Sequence, residues 1–268
     1  MRPISIPPYI AELWDITAQS NEERIAFVKT HAAALLRGAP EVSIVMPAYN
    51  EEKNILPTLQ SIAANKTARS VEIIVVNNNS KDNTGALVTA TGVNCIFEPL
   101  QGITVARNTG LANARGKYVI NADADTLYPV DWIEEMVKPL AAHEDVCITY
   151  GRFSFIPIGA TTRGTYFFYE YIADALRYFN KFFREEAVNV YGFNSCFRRE
   201  QGLQVEGFNH PPGSNEDGYL ALKLRNKGFG KLYYVTSIKA LVWTTDRRIQ
   251  IDGGLGKGLV KRVKRFLS

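Results

Sequence analysis

Val42-Ser43-Ile44-Val45-Met46-Pro47-Ala48-Tyr49-Asn50-Glu51 decides the fold class of this chain. Val42 to Met46 is apolar apart from Ser43, a proline stops the run, and polar residues follow directly. A short run without polar alternation suits a strand covered on both faces, as in a parallel sheet packed between helices. The same signature recurs downstream at Val71-Glu72-Ile73-Ile74-Val75-Val76, Cys95-Ile96-Phe97 and Tyr118-Val119-Ile120. Segments of helical length separate the runs: Lys53 to Asn65, Thr84 to Thr91, and Thr104 to Ala114. Strands alternating with helices predict βαβ units, and so an α/β fold with a mostly parallel central sheet and helices on both faces.

In such sheets ligands bind beyond the carboxyl ends of the strands. The polar clusters of this chain fall there: Pro47 to Glu51 after the first run, Asn77-Asn78-Asn79-Ser80-Lys81-Asp82 after the second, Asn121-Ala122-Asp123-Ala124-Asp125 after the fourth. Their positions predict that the three converge on one cleft. Upstream, Ala11 to Leu36 reads as helical with a break at Thr17 to Asn21, so residues 1–40 form an N-terminal extension. The main domain is expected over 41–252, in two halves at 41–125 and 126–252.

Charge narrows the partners. The chain has 268 residues and a net charge of +4. Residues 253–268 hold five of its cations (Lys257, Lys261, Arg262, Lys264, Arg265) and no acid, so the remainder carries about −1. A domain-wide nucleic-acid surface is therefore not expected. Cys95, Cys147 and Cys196 lie about fifty residues apart, without the spacing of a metal site, as suits reduced thiols in the cytoplasm. No apolar run reaches the roughly 18–20 residues that span a bilayer, and the proline-rich start with early acids is unlike a signal peptide.

Asp123-Ala124-Asp125 follows a strand directly. Two carboxylates at i and i+2 of a turning segment can share a divalent cation, and hard Mg²⁺ or Mn²⁺ suits carboxylate and phosphate oxygens. A polar loop after a strand is the plainer alternative. Glu216-Asp217 opens a helix after a Pro/Gly loop. Acids there are favoured by the helix dipole, and a carboxylate so placed can also take a proton from an attacking hydroxyl.

Taken together and in order, these segments resemble the family 2 glycosyltransferases of GT-A fold, from Val42 to about Thr245. The resemblance is carried by Val45 to Glu51, Val75 to Thr84, Gly102 with Ala106-Arg107-Asn108-Thr109-Gly110, the Asp123-Ala124-Asp125 motif, Gly192-Phe193-Asn194, and Glu206-Gly207-Phe208 followed by Asn215-Glu216-Asp217. It implies that Pro47, Ala48, Tyr49 and Glu51 border the nucleotide, that Asn77 or Asn78 binds the base edge, and that Arg107 lies near base or phosphates. It further implies Asp123 at ribose or metal, Asp125 as ligand of a Mn²⁺ or Mg²⁺ bridging the diphosphate, Gly192, Phe193 and Asn194 on the acceptor side, and Asp217 as base with Glu216 shaping the acceptor pocket. The implied activity is inverting transfer from a nucleotide sugar to an acceptor hydroxyl. The family more often has two aspartates where this chain has Asn77-Asn78. An amide still reads a uracil edge, so a UDP-sugar stays the default donor, against GDP or dTDP.

Other features carry competing expectations. His210 completes the metal shell or stays a loop histidine facing solvent. Arg247-Arg248 reach a diphosphate or remain an exposed pair. The aromatic stretch Tyr166 to Phe183 stacks on sugars, touches lipid or, as such residues more often do, packs a helix onto the sheet. Residues 255–267, drawn as a helix, separate Leu255, Leu259, Val263, Phe266 and Leu267 from the cations, as in a basic amphipathic helix on the inner face of an anionic membrane or packed on the domain. The competing functions are a binding module of the same fold without turnover, against which the joint presence of Asp123, Asp125 and Asp217 speaks, and a nucleotidyltransferase, whose Gly-rich basic phosphate loop is not matched by Pro47 to Glu51.

Overall fold

The structure, a computed structural model of the chain, describes residues 1–15, 17–251 and 253–255, with the Arg248 side chain outside that description. The expected amphipathic helix over 253–268 therefore falls almost wholly outside the described residues. Two N-terminal helices, α1 (Pro8–Trp14) and α2 (Asn21–Leu35), precede the sheet. They break where expected, because Ser20 caps α2 in a reciprocal capping box with Glu23.

The alternating run then follows as β1 (Val42–Ala48), α3 (Ile55–Ala63), β2 (Val71–Asn77), α4 (Thr84–Ala90), β3 (Asn94–Phe97), α5 (Ile103–Asn113), β4 (Tyr118–Asn121) and the short β5 (Thr126–Leu127). The second half is more irregular: α6 (Trp132–Ala142), β6 (Val146–Tyr150), β7 (Phe153–Ile156), α7 (Arg163–Phe183), β8 (Ser195–Arg198), α8 (Arg199–Gln204), α9 (Glu216–Asn226), β9 (Lys231–Tyr234), β10 (Val242–Thr245) and α10 (Arg247–Ile251). The main sheet has the order β3-β2-β1-β4-β8-β6-β9. β1 pairs in parallel with β2 and with β4, and only β8 opposes its neighbours. A second sheet has the order β5-β10-β7.

All seven residues of β1 are buried, with apolar clusters on both faces: Ile44 and Met46 face one, Val45 the other. That two-sided burial is why the run shows no alternation. The carboxyl ends of β1, β2 and β4 open on the same side, as parallel pairing requires.

The N-terminal extension packs against the domain. Buried Arg24 donates to Gln60 Oε1 at 2.7 Å and to the carbonyls of Leu13 and Asp15. Arg2 runs under α7, where its guanidinium meets Asp174 and Glu170 and donates to the Phe153 carbonyl.

One expectation reverses. Tyr166 is buried and Tyr169 packs against the core, but most of the large apolar side chains of α7 face solvent, Phe168, Ile172, Phe182 and Phe183 among them. Its charged residues turn inward instead, because the partners waiting there are arginines. Among the described residues no helix is long and apolar enough to cross a membrane.

Candidate active site

The site forms where the loops after β1, β2 and β4 meet the start of α9. The first two loops are laced by their own polar groups. Glu51 N donates to Thr84 Oγ1 at 2.8 Å, Lys81 N to Asn50 Oδ1 at 2.8 Å, and Glu52 N to Asp82 Oδ2 at 3.1 Å. Asn50 and Asn79 take positive φ values of 54° and 60°, which asparagine tolerates better than most residues. Tyr49 stands half-exposed at the rim, Pro47 and Ala48 lie within β1, and Glu51 faces the cleft with its side chain mostly buried.

Asp123 and Asp125 sit in the turn between β4 and β5. Asp125 and Glu51 close on the Arg247 guanidinium from α10, Asp125 at 2.8 Å. Hydrogen bonding to Glu51 is the first cause of the raised Arg247 pKa. Asp123 receives Arg107 Nη2 at 2.9 Å.

Arg107, on α5, is the centre of the constellation. Its side chain is 2% exposed, and three carboxylates surround it: Asp123 at 2.9 Å, Asp217 at 3.4 Å and Glu216 at 3.8 Å. Burial works against its charge, but Asp217, Asp123 and Glu216 more than offset that and raise its pKa. Its Nε and Nη1 make no hydrogen bond, nor does Asp217 Oδ1. Gly192 explains how the groups come so close: a Cβ there would overlap both the Arg107 guanidinium and Asp217 Oδ1.

Asp217 lies in the first turn of α9, which is capped by Asn215 through Gly218 N at 2.7 Å. The helix dipole favours an acid at this position, yet burial pushes its carboxyl up to about 7. Arg107 pulls the other way, Glu216 and Asp123 reinforce the rise, and the Gly192 N–H opposes it. A carboxylate poised near neutrality beside unsatisfied donors is suited to taking a proton.

Tyr128, absent from the sequence-based candidates, ties the two sides together. Its buried hydroxyl accepts from Asp123 N at 2.9 Å and donates to the Phe193 carbonyl at 3.2 Å, and so links Asp123 to the Gly192-Phe193-Asn194 turn. Burial first, then Asp123, holds its pKa well above the usual value. Nothing in the local pattern marks this tyrosine; only its spacing from Asp123 was available.

Two of the expected site residues have their amides engaged within the fold. Asn78 is buried, its amide donating to the Glu98 and Leu100 carbonyls and accepting from Gly102 N at 2.8 Å, so it shapes the loop before α5 and presents no free edge to a base. Asn77 is better exposed, though its Oδ1 accepts from Ser80 N. Asn194 is 1% exposed: it receives the buried Trp132 indole N–H at 2.8 Å and donates to the Arg152 and Ala240 carbonyls. A buried indole needs that acceptor, and nothing of Asn194 remains for an acceptor substrate. His210 has both ring nitrogens engaged, with Thr104 Oγ1 at 3.1 Å and the Pro211 carbonyl at 3.0 Å.

The fold has known counterparts. A family model described as glycosyl transferase family 2 matches residues 43–201, more than half of the chain. The chain belongs to that family. This family 2 glycosyltransferase carries Asp217 and Arg247 beyond the matched stretch, so their placement rests on the structure. It is 29% identical over 127 residues to the putative glycosyltransferase EpsH of Bacillus subtilis, covering 46% of the chain and 37% of EpsH. It is 34% identical over 111 residues to the dolichyl-phosphate beta-glucosyltransferase ALG5C of Trichomonas vaginalis, covering 37% and 33%. The matches thus span under half the length of these curated relatives. Among solved structures the family 2 chain resembles the mannosyltransferase PcManGT of Pyrobaculum calidifontis in complex with GDP-Man and Mn²⁺, at TM-score 0.59 and 21% identity over 96% of this chain and 75% of that one. It also resembles glucosyl-3-phosphoglycerate synthase of Mycobacterium tuberculosis in complex with Mn²⁺, UDP-glucose and phosphoglyceric acid, at TM-score 0.56 and 19% identity over 85% and 78%. At these identities the likeness establishes the shared GT-A fold.

Proposed function

We propose that the cleft transfers a sugar, with inversion, from a nucleoside-diphosphate sugar, UDP-linked by default, to an acceptor hydroxyl. The observation that carries this reading is the meeting of Asp123 and Asp217 on one buried arginine. Donor-side and acceptor-side acids are thereby held in a single cleft at the ends of parallel strands.

Asp217 takes the hydroxyl proton as the acceptor oxygen forms its bond to the anomeric carbon and the bond to the diphosphate oxygen breaks. One base suffices for such a single displacement. Glu216 borders the acceptor, and Tyr49, Asn77 and Glu51 border the nucleotide. Arg247 and Arg248 are placed in sequence to follow the diphosphate.

The carboxylate pair Glu51 and Asp125 already encloses a cation, the Arg247 guanidinium, which supports a divalent ion at Asp125, with Asp123 two residues away in the same turn. Among the described residues no three acids, histidines or cysteines form a metal cluster by themselves. One or two carboxylates plus substrate phosphates is the usual way such hard ions are held. When bound, Mn²⁺ or Mg²⁺ supplies charge stabilisation to the departing diphosphate. The solved relatives in complex with nucleotide sugars and Mn²⁺ support donor class and ion alike. A further part of the reading is a peripheral site on the cytoplasmic face of a membrane, with the basic residues after 253 on anionic lipid and a lipid-linked or polysaccharide acceptor.

Calorimetric titration of UDP, GDP and dTDP with Mn²⁺, then with EDTA, tests the donor site. Metal-dependent binding of one nucleotide is expected, and binding of none overturns the reading. For the base, Asp217→Asn should lower transfer by about 10²–10⁴-fold with nucleotide affinity unchanged, and native turnover in that variant would remove Asp217 from the chemistry. Because the carboxylate must be unprotonated to act, transfer should rise with pH through about 7.

A further inference from the structure

Helix α7 is built inside-out. Over its 21 residues it runs about 31 Å. Its charged residues Arg163, Glu170, Asp174 and Arg177 turn toward the protein and are paired there. Glu170 meets Arg163 and Arg2, and Asp174 meets Arg2 and Arg177. The outward arc from Phe168 to Phe183 carries no charge at all and presents Phe168, Tyr171, Ile172, Phe179, Phe182 and Phe183 to solvent. A helix lying on a water-soluble domain has the opposite polarity. A continuous aromatic strip of this length marks a surface that meets something apolar.

Charge near the strip bears on what it meets. At the C-terminal end Arg184 is exposed, while Lys181 pairs with Glu186. At the N-terminal end the chain itself departs. Asp246 accepts from Tyr166 Oη at 2.7 Å and from Ile158 N at 2.9 Å, and Gln250 lies against Gly159, so α10 sits beside the entry to α7. The chain after Leu255 holds Lys257, Lys261, Arg262, Lys264 and Arg265 without an acid. An anionic bilayer satisfies the apolar strip and the cations of the chain after Leu255 at once. The strip also ends near the cleft: the 3₁₀ turn at Glu186–Asn189 follows it, and the Ala187 carbonyl abuts Gly218, the residue after Asp217.

We propose that the outward face of α7 is a membrane-contact surface that lies in the headgroup layer of an anionic bilayer and holds the acceptor mouth at the lipid surface. This deepens the peripheral placement stated above by naming the contact face, and it does not depend on the transfer chemistry. A tail of cations alone would adsorb electrostatically and come off in salt, whereas buried aromatic side chains give a part of the binding that salt does not remove.

The test is sedimentation of the full chain with phosphatidylcholine vesicles, with and without phosphatidylglycerol, at low and high salt. The probe variant is Phe168→Ser/Phe182→Ser/Phe183→Ser, whose side chains are 69%, 67% and 74% exposed, so the core is left intact. The native chain should bind phosphatidylglycerol vesicles and keep a salt-resistant fraction. The triple variant should lose that fraction by about tenfold or more with its thermal midpoint and UDP binding unchanged. Deleting residues 256–268 should instead reduce the preference for phosphatidylglycerol and spare the salt-resistant part. Native-like binding of the triple variant at high salt would overturn the assignment of α7 and leave the tail as the only anchor. A native chain that stays in the supernatant would overturn it too, whether it runs as a monomer or as a dimer that the triple variant dissociates.

Discussion

Two arginines, Arg247 and Arg107, meet the acids of the cleft, and they differ in burial. Arg247 is 42% exposed where it meets Glu51 and Asp125, while Arg107 is 2% exposed among Asp123, Glu216 and Asp217. An exposed pair contributes little and is readily exchanged, so the Arg247 contact is one that an incoming cation or diphosphate can replace. A buried pair cannot be opened without stranding a charge. Arg107 is therefore a fixture, yet it does not outweigh the burial of Asp217, which with Glu216 and Asp123 holds that carboxyl up at about 7. The lesson is that one cleft uses the same ion pair chemistry for two purposes, decided by solvent access.

The largest expected effect is at the buried arginine. Arg107→Ala should cost about 3–5 kcal/mol in urea unfolding and abolish transfer. Arg107→Lys, which keeps the charge but not the fork, should retain some transfer with its pH limb displaced from about 7. Native stability in the alanine variant would show that the cluster is not held through this residue.

Next comes the glycine that permits the cluster. Gly192→Ala should lose about 1–3 kcal/mol, because a methyl group there meets guanidinium and carboxylate rather than a void. The substitution should also lower transfer at every pH; an alanine variant as stable and active as native would mean that the turn has room the contacts do not suggest.

The smallest effect on stability belongs to the exposed side. Arg247→Ala should shift unfolding by no more than about 1 kcal/mol, while UDP affinity measured with Mn²⁺ falls. Destabilisation as large as that of Arg107→Ala would erase the distinction between the two arginines. Unchanged UDP affinity would reduce Arg247 to a cation that merely holds the acids before the donor arrives.

Much of this was legible in the chain. The buried strands β1, β2 and β4 show as unbroken apolar runs because both faces are covered, and their polar ends mark the cleft because parallel strands end on one side. Glu216-Asp217 announces a helix start through local chemistry. What stayed hidden depends on partners far away in sequence. Asn78 and Asn194 look like recognition residues, but their amides are occupied by carbonyls and an indole that only folding brings near. Tyr128, bonded to Asp123, reaches Phe193 across 65 positions, a distance over which no local pattern carries information.

The sequence by itself determined the α/β class, the strand ends that build the cleft and the acids available to it, because periodicity and spacing act within a few residues. Only the tertiary structure decided that Arg107 stands between the acids and that Asp217 is buried enough to hold its proton near pH 7. The same holds for α7, which turns its aromatic side outward. Burial and charge balance are properties of neighbours in space: Arg2 beneath α7 and Gly192 beside Asp217 set them.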